Sequence, residues 1–256
     1  MQIKELIELF EKKINPNLQE ESDNSGLQIG DINQELTGVI TTLEITPEVI
    51  ENAIENNCNL IFCHHPIIFG GINSIDNDDF KGKKIIKAIQ NNIVIYASHT
   101  PSDMKGLNEY ILNRMGFESD GFIKEYKENL YYGNFSNVDI KFKTLIKQIK
   151  ENLDLDRVIV YGEIDKVTRI GLVTGSGMDF VNEAIDKGVE VYITGDITHH
   201  HAMDSVEKGL VLVDISHEGS ERYFSYFAEN ILSEYIEDDI TLIKYENEAK
   251  YLRQIW

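Results

Sequence analysis

Glu51-Asn-Ala-Ile-Glu-Asn-Asn-Cys-Asn-Leu-Ile-Phe62 lies over Asn182-Glu-Ala-Ile-Asp-Lys-Gly-Val-Glu-Val-Tyr-Ile193 without a gap. Each stretch passes from a helical pattern into a short apolar run, the sequence form of a helix feeding a buried parallel strand. Outward from the first copy, Gly38 to Ile45 predicts a strand. Thr46-Pro47 then starts a helix, with Thr as N-cap and Pro in the first turn. That helix, Pro47 to about Asn56, places Val49, Ile50, Ala53 and Ile54 on one face. Cys58 to Cys63 follows as an apolar strand, then Lys83 to Asn91 as a helix and Ile93 to Ala97 as another strand. Outward from the second copy the order returns: strand Arg169 to Thr174, helix Asp179 to Asp186, strand Val189 to Thr194, helix His201 to Glu207, strand Leu210 to Asp214. The alternation predicts an α/β fold of two topologically similar α/β lobes, residues 1–125 and 126–256, whose chain ends can cross between them.

Between the copies, Ser119 to Asp165 is less regular. Tyr126 to Phe135 and Val138 to Phe142 suggest short antiparallel strands, and Thr144 to Asn152 a helix. Asp239 to Tyr245 offers one more strand, followed by a short amphipathic end holding the only tryptophan, Trp256.

The bulk numbers narrow the function classes. With 256 residues the chain can bury a full core, and a formal net charge of -20 repels phosphate backbones and anionic headgroups. Nucleic-acid and membrane binding are therefore disfavoured. Two cysteines, Cys58 and Cys63, are too few for a disulfide framework and are expected to be buried thiols. The first residues, Met-Gln-Ile-Lys-Glu-Leu-Ile-Glu-Leu-Phe, read as an amphipathic helix and not as a secretion signal. No apolar run reaches the length of a membrane span, so a cytoplasmic protein is expected.

The polar residues that follow the strands carry the chemistry. Cys63-His64-His65-Pro66 leaves a buried strand at its carboxyl end, where open α/β sheets bind ligands. Adjacent residues on a regular strand point to opposite faces, so His64 and His65 share a site only where the strand breaks. Ser98-His99-Thr-Pro-Ser-Asp103 lies over Ser216-His217-Glu-Gly-Ser-Glu221, giving each lobe a His-x-x-x-carboxylate after a strand. His217 and Glu221 lead into a helix expected from Arg222 to Leu232, and four residues apart on a helix they fall on one face within reach of one ion. The donors are imidazole and carboxylate with no committed thiolate, suited to zinc, iron, manganese or nickel. The spacing also suits an ordinary surface pair. His99 could be a ligand, a proton shuttle or a donor that orients a ligand. In Thr198-His199-His200-His201, consecutive imidazoles fan around a helix, so one is expected to line the cleft and the others to be solvated. Thr174-Gly-Ser-Gly177 has neither the lysine of a P-loop nor a full dinucleotide pattern, and reads as a tight turn.

Taken in order, Asp23-Asn-Ser-Gly-Leu-Gln-Ile-Gly30, Phe62-Cys-His-His-Pro-Ile-Ile-Phe69, Ser98-His-Thr-Pro-Ser-Asp103, Thr194-Gly-Asp196 with His200, and Ser216-His-Glu-Gly-Ser-Glu221 resemble the GTP cyclohydrolase 1 type 2 homologues, the NIF-three-like family. The resemblance implies two similar lobes around a dinuclear metal site in the cleft between them, assembled as a toroidal homohexamer. It implies His64, His65, Asp103, His217 and Glu221 as ligands of two divalent metal ions. The short 119–165 segment leaves no room for the middle domain that some members insert. Pro101-Ser102 stand where Asn-Leu is common, Glu44 where an Asp usually follows the first strand, and His199 and His201 replace commoner neighbours. The function expected is a metal-dependent hydrolase of a nucleotide or other small substrate, with His99 or a nearby carboxylate moving the proton; the alternative is a non-catalytic metal-binding or regulatory hexameric scaffold.

Overall fold

The computed structural model describes residues 1–246, so the expected amphipathic end at Trp256 lies outside the described residues. Strands β1 (Gly26–Ile29), β2 (Gly38–Thr42), β3 (Leu60–Cys63) and β4 (Val94–Ala97) come first. Then follow β5 (Gly121–Lys127), β6 (Leu130–Lys141), β7 (Ile159–Tyr161), β8 (Lys166–Leu172), β9 (Val191–Thr194), β10 (Val211–Asp214) and β11 (Thr241–Tyr245). They form two sheets in a mixed α/β fold, ordered β1-β4-β3-β2-β11 and β5-β6-β8-β9-β10-β7. The chain divides into two compact units: Met1–Ser102 with the chain from Tyr223 onward, and Asp103–Arg222. The second is continuous in sequence and interrupts the first.

In the first unit, β2, β3 and β4 are parallel, β11 adds parallel to β2, and β1 closes the other edge antiparallel to β4. Alternation along β3 separates two layers of side chains. Ile61, with Ile40 and Ile95, belongs to the core that Val49, Ile50, Ile85 and Ala88 fill from the helices Pro47–Glu55 and Phe80–Gln90. Thr46 caps the first of these helices by accepting from the Val49 N–H, as its sequence predicts. Phe62 points to the other face, where its ring meets Phe10 at 4.5 Å, Tyr96 at 5.1 Å and Phe224 at 6.4 Å. Phe10 comes from the amphipathic helix Ile3–Glu11 and Phe224 from the helix Phe224–Leu232.

In the second unit, β8, β9 and β10 are parallel, with β7 antiparallel to β10 and the β5–β6 hairpin antiparallel to β8. Tyr192 and Leu212 pack with Val181, Ala184 and Ala202 of the helices Val181–Asp186 and His199–Glu207. Ile170, Leu172, Ile193 and Val213 are fully buried. The repeat thus extends beyond the aligned stretches, since β1-β4-β3-β2 and β7-β10-β9-β8 share order and direction.

Three departures from expectation stand out. Val138 to Phe142 is not a separate strand: β6 runs from Leu130 to Lys141, with an irregular register against β8 between Asn137 and Ile140. The helix expected from Arg222 begins at Phe224, after a break that follows the short helix His217–Glu221. The third difference concerns the second alignment. Val39 opposite Leu60 matches Ile170 opposite Val191, which keeps the first alignment in register. Then Ser98 donates to the Cys63 carbonyl, while Ile215, not Ser216, donates to the matching Thr194 carbonyl. Ser216 is an extra residue at φ +64°, and its hydroxyl accepts from the Gly219 N–H to start the His217–Glu221 helix.

Among the described residues, no helix is long and apolar enough to cross a membrane. Phe62→Ala removes the ring shared by three neighbours and is expected to cost about 3–5 kcal/mol of stability. Urea unfolding followed by far-UV circular dichroism measures it, and a loss below about 1 kcal/mol would contradict the shared aromatic layer.

Candidate metal centre

The carboxyl ends of the parallel strands carry the polar residues in both units. In the first, β3 ends at Cys63, and the pleat sends His64 to the face of Phe62. His64 is fully buried, its ring 4.7 Å from Phe224, and its Nδ1 donates to the Ser98 carbonyl at 3.0 Å. A carbonyl only accepts, so this bond fixes the proton on Nδ1. His65 lies past the strand end, and its Nδ1 meets the Glu44 carboxylate at 2.6 Å. His99, two residues beyond β4, directs Nδ1 to Asp23 at 2.8 Å. The three rings stand 4.9, 5.1 and 5.4 Å apart, and one nitrogen from each lies within 4.8 Å of the others.

Asp23 is held firmly. Its side chain is 1% exposed and accepts from the Thr100 N–H and hydroxyl, the Ser25 hydroxyl and the Asn24 N–H as well as from His99. Burial alone would raise its pKa. The hydrogen bond and charge of His99, with Thr100 and the Asn24 N–H, outweigh it and hold the carboxyl well below the usual range.

The second unit builds its set around the turn after β8. His217 Nε2 and Glu221 Oε2 are 3.0 Å apart, one helical turn from each other, and His217 Nδ1 meets Asp196 at 2.7 Å. Glu221 is 3% exposed on its side chain. Gly175 stands at φ +65°, and a Cβ there would fall 2.4 Å from Glu221 Oε1, so only glycine admits the carboxylate. Ser220 locks this approach, its hydroxyl accepting from the Gly175 N–H and donating to the His217 carbonyl. Asp103 belongs to the same network: the Thr174 hydroxyl donates to its carboxylate at 3.0 Å. Asn108 accepts from the Thr174 N–H and donates to the Asp103 carbonyl.

The first unit therefore brings His64, His65 and His99 together, and the second joins His217, Glu221 and Asp103. His199, His200 and His201 are all exposed, on a helix that begins two residues earlier than expected. Thr174-Gly-Ser-Gly177 is a structural turn, since the Gly175 and Gly177 N–H groups go to Ser220 and Thr194 hydroxyls. Both cysteines are unbridged and buried. Burial pushes the Cys58 thiol up to about 11 and the Cys63 thiol further, so neither is poised as a thiolate ligand. The sequence reading left Asp23, Glu44 and Asp196 without a role. Only the repeat hinted at one, by placing Asp196 over His65.

The Duf34/NIF3 (NGG1p interacting factor 3) family profile matches residues 1–250. The chain belongs to the Duf34/NIF3 family. A Clostridium acetobutylicum member named GTP cyclohydrolase 1 type 2 homolog is 34% identical over 229 residues, 86% of this chain and 85% of that protein. A Helicobacter pylori (strain J99) member named GTP cyclohydrolase 1 type 2 is 32% identical over 234 residues, covering 90% and 91%. The crystal structure of a Bacillus cereus protein related to NIF3 superposes with a TM-score of 0.92 at 21% identity, over 100% of this chain and 99% of that one, a likeness of fold. In this Duf34/NIF3 chain, His and Glu groups gathered after strand ends are candidates to hold metal ions.

Asp23 yields a stability prediction. A carboxylate whose native pKa is depressed contributes stability above its unfolded value, about 4, and loses it as pH falls through the native value. Asp23→Asn is therefore expected to be less stable than the parent at pH 7, by roughly 1–3 kcal/mol. The gap should narrow below about pH 4. Urea midpoints at pH 7 and pH 3 test this, and a gap that widens in acid would contradict it.

Proposed function

We propose that the chain is a dinuclear divalent-metal protein and a metal-dependent hydrolase of a small, nucleotide-like substrate. In this reading His64 and His65 of the first unit act with Asp103, His217 and Glu221 of the second on two ions in one cleft. The observation that carries it is the treatment of the imidazoles: Nδ1 of His64, His65 and His217 each meets a carbonyl or carboxylate oxygen. Metal-binding histidines are oriented in this way, with Nε2 as the ligand atom and the oxygen raising its basicity. The glycine at position 175, which makes room for Glu221, and the buried setting of that carboxylate fit the same donor set.

Bound there, divalent ions would polarise the substrate and activate water. The chain's own residues then have separate tasks. Glu44 and Asp196 hold His65 and His217 in one ring orientation. Asn108 and Thr174 fix Asp103, and Ser220 keeps Gly175 against Glu221. His99, pinned by Asp23, handles the proton of the reaction. Ions held there would also offset the acidic surface for an anionic substrate. The name carried by the Helicobacter pylori relative makes GTP the first compound to assay. Assembly as a homohexamer belongs to the same proposal.

Elemental analysis of protein purified without chelator tests the centre. The parent is expected to carry about two ions per chain, and Glu221→Ala at least one fewer, because a carboxylate that would help to hold them is lost. Unchanged metal content in Glu221→Ala would sink the reading. Metal-loaded protein that turns over neither nucleotides nor phosphoesters would leave the non-catalytic scaffold in its place. Sedimentation or size-exclusion mass is expected at six times the 29.3 kDa chain, and elution as a monomer would remove the assembly.

A further inference from the structure

We infer that the first unit holds by itself a second mode of metal binding, a three-imidazole site made of His64, His65 and His99. It goes beyond the dinuclear reading, because it uses no residue of the second unit and assigns His99 as a ligand.

The geometry of the rings carries the inference. An ion held by three imidazole nitrogens at about 2.0–2.1 Å, with near-tetrahedral angles, sets the ring centroids about 5 Å apart. Here they stand 4.9, 5.1 and 5.4 Å apart, close to an equilateral triangle, and a nitrogen from each ring lies within 4.8 Å of the other two. Each ring is also turned in the same sense. Nδ1 of His64 meets the Ser98 carbonyl, that of His65 the Glu44 carboxylate and that of His99 the Asp23 carboxylate. Nε2 is thus the nitrogen with which each ring would bind an ion, and two of the three are backed by carboxylates that strengthen the donor.

Three elements of the sheet supply the parts. His64 and His65 leave β3, Glu44 follows β2, and Ser98 and His99 follow β4. Parallel pairing of these strands fixes their ends relative to one another, so the triangle is set by the sheet and not by a mobile loop. Asp23 enters just before β1, the strand paired to β4, and so is tied to the same frame.

The donor set selects the ion. Three nitrogens and no ligating carboxylate suit zinc, nickel, copper(II), cobalt(II) or iron(II) and discriminate against magnesium and calcium, which demand oxygen. Such a site would capture one borderline ion with a fourth position open. In a chain loaded with two ions, His99 would return to handling protons; the two roles belong to different occupancies.

Cobalt(II) titration followed by visible absorption tests the site on the full-length chain carrying His217→Ala and Glu221→Ala. About one equivalent is expected to bind, with the intense d–d bands of a low-coordinate nitrogen site. Addition of His99→Ala should weaken binding at least tenfold, and Asp23→Asn, which frees the ring orientation, by roughly 10–100-fold. Excess magnesium should not displace the ion. If the double variant does not fold by circular dichroism, the first cobalt equivalent of the otherwise unaltered chain is read instead. It must weaken on His99→Ala and persist on Glu221→Ala. Binding indifferent to His99, or absent without the second unit's ligands, overturns the proposal. The dinuclear reading fails by a different result, metal content unmoved by Glu221→Ala, so the two stand or fall separately.

Discussion

Parallel pairing makes the strands of a βαβ unit end on one edge of the sheet, and this constraint governs the candidate chemistry of the chain. β2, β3 and β4 stop together, and so do β8, β9 and β10. Residues far apart in sequence, such as Glu44, His65 and His99, meet because the ladder leaves them no other place to emerge. The crossover helices bury the faces, so the edge is the one region where polar side chains can gather without breaking the core.

The candidate histidines share a chemical habit that follows from this crowding. Each gives Nδ1 to an oxygen supplied by a neighbouring strand end or by the entry to an edge strand. Asp23, Glu44 and Asp196 are three of the 44 acidic residues behind the net charge of -20, and they spend their charge on orienting rings. A large acidic total therefore says little about the site itself. What matters is which carboxylates are held against an imidazole and which face water.

The apolar parallel strands and their helices are legible because burial on both faces leaves continuous Val, Ile and Leu runs, and the repeat gives their succession. β1 and β7 escaped notice for the complementary reason. Gly26–Ile29 mixes exposed and buried residues, and Ile159–Tyr161 is three residues long; each is a strand because a neighbour pairs with it. At the site, the His-His pair and the His217–Glu221 spacing were readable from local rules. The partners of the rings were not, since Asp23 and His99 are brought together only by the β1–β4 pairing. The one-residue offset at Ser216 was also hidden, because matching polar letters do not report a left-handed backbone.

The interruption of the first unit by the second has a bearing on the order of events during synthesis. All the strands of the second unit lie between Gly121 and Asp214, so it can complete its sheet as soon as that continuous stretch is made. The first unit must wait. Phe224, which packs on Phe62 and His64, and β11, which closes the sheet beside β2, are among the last described parts of the chain to be synthesised. The nascent protein thus completes the packing around its imidazole cluster late, after the whole stretch of the second unit has been made.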